Sequence, residues 1–134
     1  MNYKKIYTLN AVISVAAGGL IYLLFRPHAL FLSWLSLDLP LARVSFFGDI
    51  FVRCYLADFL WCYALCFSLF RLHLPSKRNA VFISLCAFLF GCLWELLQYT
   101  GHALGTGDCF DCVAYAAGCM AAVCIYFLIK RRKS

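Results

Sequence analysis

The stretch "WELLQYTGHALGTGDCFD" at 94–111 carries Glu95, Asp108 and Asp111, three of the chain's six acidic residues, with Gln98 and His102 among them. Carboxylates serve as general acids and bases, bind cations and ligate hard metals. Their gathering in an otherwise apolar region marks a site. An earlier apolar segment adds Asp58 and the cation Arg53. Residues three or four apart share a helix face. At such steps Ser84, Gly91, Glu95, Gln98 and His102 form one stripe, and Asp111, Ala114, Gly118 and Ala122 another. Glu95, Asp108 and Asp111 are therefore the candidate catalytic groups. Gln98, Arg53, Asp58 and His102 are the candidate ligand-binding groups. Two plainer roles compete: a polar staple between helices, with Arg53 as the cation, and Asp108 as the cap of the helix that follows it.

The elements that must position these groups follow from composition. The 134 residues are 65% hydrophobic and 13% charged, too apolar for an ordinary soluble domain. Roughly 20 apolar residues make one helical crossing, and charges and breakers divide the chain into four runs, at about 6–25, 49–70, 80–100 and 109–129. The expected fold is all-α: a polytopic membrane four-helix bundle forming one integral-membrane domain over 1–134. Between the first two spans lies "RPHALFLSWLSLDLPLARVSFFG", whose apolar run at 29–37 is too short to cross and is closed by Asp38 and Pro40. It reads as a short interfacial or re-entrant segment. The first run lacks the small-residue cleavage site of a signal peptide and is expected to be retained.

Lys4, Lys5, Arg71, Lys77, Arg78 and the "KRRK" of 130–133 fall on one side of such a bundle, nine of the twelve basic residues. The positive-inside rule makes that side cytoplasmic and places both termini there. The net charge of +6 is then explained by topology and contact with anionic membrane lipids, with no nucleic acid as partner. The acidic residues lie on the outer side or within spans. A charge at the centre of a span costs about 2.5 to 3.5 kcal/mol, so these carboxylates are expected to point into the bundle or a wet cleft. Ser14 and Gly18, like Ala114, Gly118 and Ala122, recur every four residues and suit close helix packing.

Seven of the nine cysteines, Cys54, Cys62, Cys66, Cys86, Cys92, Cys119 and Cys124, lie within the spans, where a thiol behaves as a small apolar group. Cys109 and Cys112 form a C-x-x-C at the outer boundary, where a disulfide is permitted. A four-helix membrane thiol oxidoreductase built on that pair needs a second cysteine pair in an outer loop, and 26–48 hold no cysteine. A metal site from Asp108, Cys109, Asp111, Cys112 and His102 would mix soft and hard donors. No metal or cofactor is assigned.

The string "WELLQ", a short gap and then "GTGDCFDCVAYAAG" resembles the signature of the VanZ-like membrane proteins: Glu and Gln late in one helix, a paired-Asp motif opening the next, and small residues after it. The resemblance covers about 88–125 and, more faintly, "YLADFLWCYAL" at 55–65. Cys109 and Cys112 depart from it, since the family commonly has apolar residues there. The resemblance implies a multi-pass protein of the bacterial cytoplasmic membrane with a role in the cell envelope; the founding member is associated with antibiotic resistance, to teicoplanin. Carried over by motif, Glu95, Gln98, Asp108 and Asp111 are its site residues. Three function classes stand open: an enzyme acting on a lipid-linked or glycopeptide-related envelope ligand, a factor that binds one without chemistry, and a proton- or cation-coupled small carrier. The carrier would require homo-oligomerisation at this length. A lipid-linked envelope precursor is the expected partner beyond the lipids themselves.

Overall fold

The computed structural model describes residues 2–25, 55–102 and 107–132, and four α-helices account for nearly all of them. They are α1 (Tyr3–Phe25), α2 (Ala57–His73), α3 (Lys77–Tyr99) and α4 (Cys109–Arg131). The expected segment at 26–48, and Arg53 with it, lies outside the described residues.

The turn between α2 and α3 is made by three residues of different character. Leu74 ends α2 in the left-handed region, φ 46 and ψ 55, with its N–H on the Phe70 carbonyl at 2.9 Å. Pro75 cannot continue a helix. Ser76 is extended and its hydroxyl accepts the Asn79 N–H at 3.3 Å, which caps α3. The other turn leaves α3 through Gly101 at φ 75 and enters α4 at Asp108, whose carboxylate accepts the Phe110 N–H at 2.9 Å. The helices follow the apolar runs and overrun several of them by about one turn, because the backbone pattern continues into Lys77 and Arg131.

α1 packs on α2, α2 on α4 and α3 on α4, while α2 and α3 meet more loosely. Small residues set these approaches. Gly118 lets α4 touch the α2 backbone: a Cβ there would stand 2.5 Å from the Phe59 carbonyl oxygen. At the same crossing the Cys119 sulfur lies 3.2 Å from that of Cys62 and 3.7 Å from that of Cys66. Ser14, Gly18, Ala114 and Ala122 are buried as their spacing implied. Tyr7, Phe67, Phe70 and Tyr126 fill one end of the bundle with mutually tilted rings 5.1 to 6.3 Å apart, the favoured geometry for aromatic pairs.

Three contacts draw the helix ends at that level together. Arg71 Nε donates to Thr8 Oγ1 at 3.2 Å, the Tyr126 hydroxyl donates to the Pro75 carbonyl at 2.6 Å, and Lys130 Nζ sits 4.8 Å above the Tyr3 ring. Lys4, Lys5, Arg71, Lys77, Arg78 and the basic residues from Lys130 to Arg132 thus share one end of the bundle. Asp58, Glu95, Asp108 and Asp111 share the other. α3 and α4 are long and apolar enough to cross a membrane. Only 22% of the most apolar window of α3 and 33% of that of α4 is buried, whereas the core helix of a soluble protein would be mostly covered.

Candidate functional site

Glu95 is the focus of the acidic end. It projects from the last turns of α3, is 6% exposed, and has both oxygens engaged by the chain itself. The Tyr115 hydroxyl of α4 donates to Oε1 at 2.8 Å, and the backbone N–H of Asp108 donates to Oε2 at 3.2 Å. Hydrogen bonds to an ionised group are about twice as strong as neutral ones, and a buried carboxylate without them is expensive.

Two glycines make this arrangement possible. Gly91 stands one turn before Glu95, and a Cβ on it would come within 2.7 Å of the Tyr115 ring. A Cβ on Gly107 would lie 2.6 Å from the Tyr99 nitrogen and 2.7 Å from the Glu95 carbonyl oxygen. The first leaves a slot for the ring, and the second lets the start of α4 press against the end of α3. Together they deliver both donors to one carboxylate.

Tyr115 is held by Glu95 of α3, lines the same cleft as Asp58 of α2, and stands one turn after Asp111 on α4. Asp58 lies in the first turn of α2 and Asp111 in the first turn of α4, both half-buried. Gln98 is half-buried one turn beyond Glu95. Asp108 is the cap of α4, its side chain turned to the Phe110 N–H. His102 is exposed, and its Nδ1 makes a local 3.0 Å contact with the Thr100 hydroxyl.

A cleft of about 510 Å³ lies between α2 and α3, which meet more loosely than α2 and α4 or α3 and α4. Its walls are apolar, with Trp61, Leu65, Phe90 and Trp94 prominent, and Asp58 and Tyr115 stand among them. Asp58 faces this cleft directly, whereas Glu95 bears on it through the tyrosine it holds. The cleft runs from the acidic end toward Ser68 on α2.

Tyr115 was not among the residues singled out by sequence, although it stands four positions after Asp111 and so shares that face. Cys109, exposed, and Cys112, half-buried, are both free thiols in the opening turn of α4. Among the described residues, no three of His, Cys, Asp and Glu converge as a group able to hold a metal ion. Compared with protein-family models, curated proteins and solved structures, the chain matches none.

Proposed function

We propose that this chain is a bacterial envelope protein of the VanZ-like kind, spanning the cytoplasmic membrane four times with both termini inside. Its outer carboxylate end binds the polar head of a lipid-linked envelope ligand whose chain lies in the cleft between α2 and α3. The observation that carries this reading is Tyr115, which lines an apolar cleft beside Asp58 and donates its hydroxyl to the buried Glu95. An apolar slot continuous with clustered acceptors fits a molecule with a greasy tail and a head rich in hydroxyl, amide or amine donors.

The separation of the basic residues from the carboxylates supports the orientation, because the cationic end is the cytoplasmic one by the positive-inside rule. The exposed apolar faces of α3 and α4 support the lipid setting. Within the site the roles divide. Glu95 has both oxygens occupied by Tyr115 and Asp108 and acts as a positioning residue. Ligand contact is assigned to Asp58, which lines the cleft, and to Asp111 and Gln98 at the same end of the bundle, with the two aspartates as the groups for any proton transfer.

The test is a bacterial host expressing the wild type, Asp58→Asn or Asp111→Asn at equal membrane levels, scored for teicoplanin susceptibility. Co-purifying lipid-linked precursor is measured in parallel by mass spectrometry. Wild type is expected to lower susceptibility and retain precursor, and each variant to lose both. Full activity and full retention in both variants would exclude the carboxylate site.

A further inference from the structure

At the opposite end, the first turns of α1 and the last turns of α2 form a groove of about 380 Å³ lined by Lys4, Lys5, Thr8, Leu9, Val12 and Arg71. We propose that this groove is a binding site for one anionic phospholipid, its phosphate held by Lys4, Lys5 and Arg71 and one acyl chain lying on Leu9 and Val12. The inference goes beyond the proposed function and shares with it only the membrane setting.

The order of the residues along α1 matches the order of groups in such a lipid. Two cations come first, a hydroxyl follows one turn later, and then come Leu9 and Val12, 50% and 58% exposed. Positions 5, 8, 9 and 12 lie on one helix face. Arg71 closes the groove from α2 and is already oriented: its Nε donates to Thr8 Oγ1 at 3.2 Å, while the Thr8 hydroxyl donates to the Lys4 carbonyl at 2.9 Å. That leaves the two terminal NH2 groups of the guanidinium for a phosphate, the geometry in which arginine binds anions best. No carboxylate lines the groove, and the described acidic residues are all at the far end of the bundle. Three cations with no acidic side chain beside them among the described residues select a lipid of net negative charge over a zwitterionic one, whose own cation they would repel. The lysine stems can lie along apolar surface while their ammonium groups reach the headgroup level.

The experiment is native mass spectrometry of the full chain released from detergent, titrated with a phosphatidylglycerol, a phosphatidylcholine of the same chains, or inorganic phosphate. The wild type is expected to retain one phosphatidylglycerol per chain, at least about tenfold more tightly than phosphatidylcholine, and not to exchange it for inorganic phosphate. Replacing Lys4, Lys5 and Arg71 with Gln should abolish that retention. Replacing Lys77, Arg78 and Arg132 with Gln removes the same charge from the same end outside the groove and should preserve it. Val12→Trp fills the chain slot at an exposed position with every cation intact, and should also lose the lipid; it serves where loss of Arg71 loosens α1 from α2. Equal losses in the two charge variants, retention in both, or equal binding of phosphatidylcholine would overturn the site. Asp58→Asn should hold the lipid like wild type, so the outer site and this groove succeed or fail separately.

Discussion

The Tyr115 hydroxyl and the Glu95 carboxylate join α4 to α3 at 2.8 Å, and the slot at Gly91 is what allows it. Tyr115→Phe keeps the ring and the slot but strips Oε1 of its donor. A buried acceptor left unsatisfied costs about 1 to 3 kcal/mol. The variant should therefore unfold earlier in a detergent denaturation series, with helix content unchanged before the transition. An unaltered midpoint would mean that the bond contributes nothing to the fold.

Glu95 itself can be probed by two substitutions that separate charge from hydrogen bonding. Glu95→Gln retains one oxygen for the Asp108 N–H and turns an NH2 group toward the Tyr115 hydroxyl oxygen, so stability should stay within about 1 kcal/mol of wild type. Glu95→Leu leaves both donors without an acceptor, with an expected loss of about 2 kcal/mol or more. Adding Tyr115→Phe to the Leu variant should cost less than it does in wild type, since residues in one network are not additive. Equal costs in both backgrounds would show that the two side chains are not coupled.

How far the sequence foretold this site depends on which residue is considered. The capping role of Asp108 was visible as an acidic residue directly before an apolar run, whereas the cap at Ser76 stands ahead of Lys77, Arg78 and Asn79, one turn before the apolar run begins. The burial of Glu95 followed from its place on a stripe with Ser84 and Gly91. The stripe ran one turn too far at His102, because the helix ends at Tyr99 and a new backbone direction begins at Gly101. Tyr115 escaped notice for a different reason. A phenol in an apolar helix reads as core, and its reach to Glu95 depends on the register between α3 and α4, which two glycines set through contacts distant in sequence. Likewise, each cysteine reads singly as a small apolar residue. That Cys62, Cys66 and Cys119 meet follows from α2 lying beside α4, and hydrophobic periodicity does not encode which helices are neighbours.

The close approach at Gly107 is open to a direct test. A methyl group there would meet the Tyr99 nitrogen and the Glu95 carbonyl at 2.6 and 2.7 Å. These are backbone atoms that cannot rotate aside. Gly107→Ala should push the start of α4 away from α3, draw the Asp108 N–H off Glu95, and destabilise by about 1 to 3 kcal/mol, the usual range for overpacking. Denaturation measured beside Gly19→Ala gives the contrast, since nothing lies within 4 Å of a Cβ at Gly19. Equal stability of the two variants would show that the turn has room the distances deny.

Leu74 offers a change in the opposite direction. Its φ of 46 and ψ of 55 put a branched side chain in the left-handed region, at a cost of roughly 1 to 2 kcal/mol. Glycine adopts that conformation freely but brings about 0.5 to 1 kcal/mol of extra unfolded-state entropy. Leu74→Gly should therefore raise stability by about 0.5 kcal/mol, read as a higher denaturation midpoint. A lower midpoint would mean that the half-exposed leucine side chain makes a contribution larger than the strain it carries.

The crossing of α2 and α4 predicts which thiols can be joined. The Cys62 and Cys119 sulfurs are 3.2 Å apart, and a disulfide requires about 2.05 Å, a gap that small rotations of the two side chains close. The backbones already touch there, with the Cys62 Cβ 3.4 Å from the position a Cβ would take on Gly118. Mild oxidation with copper phenanthroline should link Cys62 to Cys119, identified by mass spectrometry of peptides after the remaining thiols are alkylated under denaturing conditions. In Cys62→Ser the link should pass to Cys66, whose sulfur stands 3.7 Å from that of Cys119. Cys86 and Cys124 are exposed on the outer faces of α3 and α4 and should be alkylated instead of paired within the chain. Recovery of a Cys86–Cys124 link, with Cys62 and Cys119 both alkylated, would contradict the packing of α2 against α4 that brings Asp58 to the acidic end.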